Sequence, residues 1–168
     1  MDLFKILCAV ICAAGLGAFY YLMALRKGSP QRKLGKDFKM PDVRLHYSPE
    51  MLYNTYEDAG EDGRGQMRLY WLYDFGLIAC LLGVMLAVSA NIADGRAWVY
   101  PLMLWLTVAR TAADVLEDIL LLSLLRRFPQ RRMSPARLVS GVTAAKHLLL
   151  IAWLLSLFMV LFLKAFGI

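Results

Sequence analysis

The residues from Trp98 to Arg127, WVYPLMLWLTVARTAADVLEDILLLSLLRR, read as a membrane-spanning helix that carries Arg110, Asp114, Glu117 and Asp118 among Leu, Val, Ile, Ala, Met and Trp. Each such group in the hydrocarbon costs about 2.5 to 3.5 kcal/mol on insertion scales. These side chains must therefore face protein or a wet cavity, and the rest of the chain has to supply it.

Composition agrees with a bilayer setting. Of 168 residues, 60% are hydrophobic, against about 45 to 50% in soluble domains. The formal charge of +6 raises nucleic acid as a partner, but membrane proteins also concentrate Lys and Arg in cytoplasmic loops. Cys8, Cys12 and Cys80 all sit in apolar runs, where a thiol behaves as a small hydrophobe rather than as part of a disulfide framework or zinc site.

Four spans are expected, at about 3–25, 69–93, 98–125 and 138–166, giving an all-α integral membrane four-helix bundle in a single transmembrane domain. The first run competes with a signal peptide. Arg26, Lys27, Arg32 and Lys33 follow it, however, as expected of a retained anchor whose C-terminal end is cytoplasmic. Ala9, Ala13 and Gly17 make one narrow face on this helix, and Gly76, Ala79, Gly83, Ala87 and Ala90 make another on the second; small residues let helix backbones approach closely.

The long loop, 26–68, divides by charge. Its first part is basic, with Gly28, Pro30, Gly35 and Pro41, and is expected to be an irregular arm at the anionic lipid surface. Its second part opens on Ser48-Pro49-Glu50, a hydroxyl N-cap with Pro at the first helical position. Met51, Leu52, Tyr56 and Ala59 then give a short amphipathic helix over about 49–59, which Gly60, Gly63 and Gly65 should end. Asp94-Gly95 marks a tight turn between the second and third spans. A basic loop with Arg126, Arg127, Arg131, Arg132 and Arg137 joins the last two.

Orientation follows from counting. The segments around 26–70 and 126–137 hold nine and five Lys/Arg, whereas the N-terminus, the 91–97 turn and the C-terminus hold three, Lys5, Arg96 and Lys164. Both termini are thus expected outside, with the loops 26–68 and 126–137 cytoplasmic, in a bacterial inner membrane. The same placement absorbs the excess charge and leaves no role for nucleic acid.

On the third helix Thr107, Arg110, Thr111, Asp114 and Asp118 recur at three and four residues, with Glu117 beside them, so one polar stripe results. At 1.5 Å per residue, Asp118 lies about 12 Å, Glu117 about 14 Å and Arg110 about 24 Å from the cytoplasmic end. Lys146 on the fourth helix, about 10 Å deep, and Asp74 on the second fall in the same half. The expected pairs are Arg110 with Asp114, and Lys146 with Glu117 or Asp118, while His147 is a candidate proton carrier. Asp74, Arg110, Asp114, Glu117, Asp118, Lys146 and His147 are together the candidate ligand-binding residues; no metal set and no cofactor is indicated, and His46 has no partner pattern. Such a cluster serves either as internal glue or as a binding site.

Three functional classes follow. The first is a protein that binds a membrane lipid or small molecule, or serves as a membrane accessory. The second is a membrane-embedded enzyme acting on a lipid headgroup, with Asp114, Glu117 and Asp118 holding a cation or acting as acid and base. The third is a proton- or ion-coupled transporter, which four helices could form only as a homo-oligomer.

The stretch YSPEMLYNTYEDAGEDGRGQMRLYWLYD (Tyr47 to Asp74) and ADVLED (Ala113 to Asp118) resemble a group of small bacterial four-span membrane proteins. In that group an acid opens the second span and an Asp-x-x-Glu-Asn pattern lies in the third; here Asp118 replaces the final Asn. The resemblance implies the fold and no activity. Size, span count and cytoplasmic first loop are also similar to the trimeric glutathione- and eicosanoid-metabolising membrane enzymes. Their Arg has a counterpart in Arg68, but their Asn-x-x-Glu element has none, so that likeness is architectural.

Overall fold

Gly83 shows how the first two long helices meet: a Cβ built on it would overlap the Cys12 sulfur. The computed structural model describes residues 3–27, 29–35, 38–92 and 98–166, with side chains from Ile6 onward. Gly28, the Asp94-Gly95 turn and Arg96 lie outside the described residues. Within them every regular element is helical: α1 (Leu3–Tyr20), a π-helical turn (Tyr21–Leu25), α2 (Pro30–Leu34), a 3-10 turn (Pro41–Val43), α3 (Pro49–Asp58), α4 (Gly60–Ile92), α5 (Val99–Arg127) and α6 (Met133–Ala165).

Three helices are long and apolar enough to cross a membrane, namely α1 with its continuation (within Ile6–Leu34), α4 and α6, which fits a multi-pass membrane protein. At 29 residues α5 is as long as a span needs to be. The four ionisable residues in its interior, Arg110, Asp114, Glu117 and Asp118, set it apart in composition.

The small residues of α4 do what their spacing suggests, whereas α1 docks through Cys12, Gly15 and Phe19 rather than through the face of Ala9, Ala13 and Gly17. Besides Gly83 on Cys12, Gly15 receives Cys80 and Gly76 receives the Phe19 ring, so α1 lies along α4. Gly17 of the α1 face meets nothing within 4 Å. We expect Gly83→Leu to force α1 off α4 and lower stability by about 1 to 3 kcal/mol, read as a lower unfolding midpoint in detergent. A variant as stable as the parent would show that α1 does not dock there.

The long loop departs from expectation in two places. Its basic arm is not irregular: Ser29 caps the short helix α2, whose Arg32 amide donates to the Ser29 hydroxyl at 3.4 Å, and α2 packs on α4. Farther on, Met40, Pro41 and Asp42 are buried. Of the three glycines expected to end α3, only Gly60 does so, at φ 65°, the left-handed conformation that glycine adopts without strain. Gly63 and Gly65 lie inside α4, which begins nine residues before the expected Leu69. Gly63 admits Ala59 and Leu34 so closely that a Cβ there would stand 2.9 Å and 3.2 Å from them. Similarly, α6 begins at Met133, before the expected Leu138.

As expected, α3 starts with Ser48, whose hydroxyl accepts from the Met51 amide at 3.1 Å. Its apolar face rests on the bundle: Leu52, Tyr53 and Tyr56 are fully buried with Trp71, Leu121, Leu124, Leu125 and Val139. The Tyr53 hydroxyl donates to the Arg132 carbonyl at 3.0 Å and receives the Arg132 amide at 2.5 Å, which pins α3 to the turn between α5 and α6. The loop thus forms a cap over one end of the helices.

Candidate functional site

Beneath this cap, α5 and α6 pack together along their length and bring their charges into register. Lys146 Nζ lies 2.9 Å from Asp114 Oδ1 and also pairs with Glu117 Oε2. One ammonium therefore serves two carboxylates. The other Asp114 oxygen takes Arg110 Nη2 at 2.6 Å, one helical turn away.

Thr143 stands next to this pair on α6. Its hydroxyl is within reach of both Glu117 Oε1 and the Val139 carbonyl, and a hydroxyl has one proton, so it donates to one of them at a time. The Tyr47 hydroxyl, 3.2 Å from Thr143 Oγ1, is then its donor. The Tyr47 amide donates to Ser140 Oγ at 3.2 Å, and Ser140 Oγ lies 3.1 Å from His46 Nδ1. His46 does have a partner, contrary to expectation. The loop preceding α3 is thereby fastened to the cluster by hydrogen bonds.

The seven residues singled out from the sequence separate into two layers. Asp74, Arg110, Asp114, Lys146 and His147 line an open cleft of about 300 Å³, whose other walls include Tyr20, Met23, Tyr70, Leu77 and Leu150. Glu117 and Asp118 lie behind it, both at 0% exposure. Asp118 does not pair with Lys146: neither of its carboxylate oxygens has a hydrogen-bond partner among the described residues. His147 Nδ1 lies 2.7 Å from the Thr143 carbonyl within its own helix.

Asp42 is the residue that sequence reading missed. It comes from the 3-10 turn, is 5% exposed and lines the cleft. Burial pushes its carboxyl above the ordinary carboxylate range, and the Lys146 ammonium pulls it partly back. The one sequence signal was its place in Met40-Pro41-Asp42, an apolar residue and a proline inside an otherwise basic arm.

Five acids, Asp42, Asp74, Asp114, Glu117 and Asp118, thus share a buried region with two strong bases, Arg110 and Lys146. Arg110 keeps Nε and Nη1 without a protein acceptor among the described residues. The cleft lies between α1 with its π turn and α6, which do not pack along one another. An amphipathic recess results, with a charged floor and walls of Met23, Leu77 and Leu150. The chain matches no protein-family model, no curated protein and no solved structure.

Proposed function

We propose that the chain is a four-span inner-membrane protein that binds a lipid headgroup or small polar molecule in the charged cleft between α1 and α6. The observation that carries this reading is the cleft itself. Its volume of about 300 Å³ falls at the lower end of small-molecule sites, and its floor holds more charge than its own side chains neutralise. An amphiphile could present its polar end to that floor and its apolar part to Met23, Leu77 and Leu150.

The distribution of side chains on α5 supports its being the fourth span. Trp105, Val108, Leu116 and Ile119 are exposed, whereas Arg110, Asp114, Glu117 and Asp118 are buried. From Trp105 to Ile119 its outer surface is therefore as apolar as that of α6 from Leu148 to Leu161, where Leu148, Ile151, Leu155, Phe158 and Leu161 are exposed, and over these stretches neither helix exposes a charge. The fourteen Lys/Arg of the two loops against three at the termini and the 91–97 turn favour a cytoplasmic cap and external termini. For the enzyme reading, Lys146 stands between Asp114 and Glu117, where a cation held by these acids would sit. That arrangement favours binding over metal-assisted chemistry.

The test is native mass spectrometry of protein released from lipid nanodiscs. Wild type is expected to retain one more small molecule or lipid than Asp74→Asn; equal retention by the two would remove the proposal. Asp42→Asn gives a separate readout. With its carboxyl raised from 3.8 in the folded chain, the folded state binds more protons than the unfolded state above that value, so stability falls as pH rises through the window. Asp42→Asn is therefore expected to raise the unfolding midpoint at about pH 8 and to lose that advantage near about pH 4. An equal midpoint at both values would mean that Asp42 is not held in a desolvated place.

A further inference from the structure

On the faces of α4 and α5 turned away from the cleft lies a second recess, of about 430 Å³, lined by Arg68, Leu72, Ile119, Leu122, Ser123, Arg126 and Arg127. At 100° per residue, Arg68 and Leu72 point opposite to Tyr70 and Asp74 on α4, and the α5 residues point opposite to Arg110 and Asp114. The recess is thus a separate place on the molecule.

We propose that this groove holds an anionic phospholipid, its phosphate on Arg68, Arg126 and Arg127 and one acyl chain along Leu72, Ile119 and Leu122. Three observations carry the assignment. The lining contains three arginines and no acid, and no ion pair among the described residues uses any of the three. All three are exposed, and guanidinium groups match phosphate oxygens in a planar fork. Finally, the order along the groove fits a lipid and not a free phosphate.

That order follows from the two helices. Arg68 lies about 12 Å inside α4 and Arg126 and Arg127 end α5, and the recess that the three line together brings them to one end of the groove. Leu72 and Leu122 lie about 6 Å from it and Ile119 about 10 Å, along the helix axes. The polar-to-apolar sequence runs the same way on both walls. A basic recess between spans at the cytoplasmic face is the kind of place where anionic headgroups are held.

This inference rests on the four-span reading, because the apolar wall faces acyl chains only if α5 crosses the membrane. The experiment uses the full chain in nanodiscs of mixed phosphatidylglycerol and phosphatidylcholine, with bound lipids counted by native mass spectrometry. Three arginines are expected to enrich phosphatidylglycerol on the order of a hundredfold. The triple variant Arg68→Lys, Arg126→Lys, Arg127→Lys keeps the loop charge, and with it the orientation, but loses the fork; its enrichment should fall about tenfold. Leu72→Trp fills the groove without touching charge and should also release the lipid. No enrichment in wild type, or one unchanged in both variants, overturns the assignment, as does displacement by soluble glycerol phosphate. A Val108→Cys variant separates the two ideas. Labelling by an impermeant maleimide beyond that of the parent chain means that α5 does not span and both readings fall, whereas a shielded thiol at that position without lipid preference removes only the anionic-lipid site.

Discussion

Lys146→Met is expected to destabilise the fold by about 3 to 5 kcal/mol, the range for removing one partner of a buried ion pair. Methionine keeps the unbranched shape of lysine one heavy atom shorter and leaves little cavity, so the loss is mainly electrostatic. Asp114 would keep Arg110 at 2.6 Å, but Glu117, at 0% exposure, would retain only the Thr143 hydroxyl. The double variant Lys146→Met, Glu117→Met separates this cause from misfolding. It leaves Arg110 and Asp114 as a one-to-one pair, and Thr143 still donates to Val139 at 2.9 Å. Most of the lost stability should therefore return, because an apolar pair of similar volume commonly matches or exceeds a buried ion pair. The comparison is read from unfolding midpoints in mixed detergent. A single variant within about 1 kcal/mol of wild type would put the pair in the class of exposed bridges and would mean that water reaches Glu117. The double variant also separates holding the fold from holding a ligand: restored stability without the retained molecule would assign Lys146 to the site as well as to the scaffold.

How much of this was legible depended on where each residue sat. Arg110 and Asp114 are four apart on one helix, so their pairing follows from helical geometry alone. Lys146 with Glu117 was readable from depth, because both lie in the same half of antiparallel neighbours. The bridge from Lys146 to Asp114 was not, since the rotation of α6 about its axis is decided by packing and not by hydropathy. Asp118 was expected beside Lys146 because it continues the i, i+4 stripe from Asp114. The side chain is buried, but its oxygens find no partner among the described residues, and only the lateral placement of α4 and α6 could have told that. Asp42 escaped because a loop residue has no periodicity to announce its direction. Gly63 and Gly65 misled for a different reason. Each lowers helix stability by about 1 kcal/mol in isolation, which reads as a stop, yet Gly63 allows Leu34 of α2 to press against α4, and tertiary contact overrides propensity.

Tyr56→Ala is expected to release the cap at a cost of about 3 to 5 kcal/mol, the usual result of truncating a fully buried aromatic side chain. Tyr56 is at the centre of the apolar layer between the loop and the helices. Its ring meets those of Tyr53 at 6.1 Å, Trp71 at 6.4 Å and Phe128 at 6.0 Å, all edge to face, the geometry that ring quadrupoles favour. Its hydroxyl donates to the Leu121 carbonyl at 3.3 Å, one turn along α5 from Glu117 and Asp118. Alanine removes every one of these contacts from the last turn of α3, whose helix of ten residues is too short to persist without its packed face. The long helices keep their mutual packing, so the loss should be local at first. Limited proteolysis in detergent is then expected to cut within Pro49–Asp58 while the helices remain folded by circular dichroism, and hydrogen exchange should rise around Glu117 and Asp118 as water enters. Tyr56→Phe keeps the ring and should lower stability by only about 0.5 to 1.5 kcal/mol, the worth of one hydrogen bond. Equal protease resistance in Tyr56→Ala and wild type would show that α3 is held by Tyr53 and its Arg132 contacts alone, and that the charged cluster does not depend on this ring for its seal.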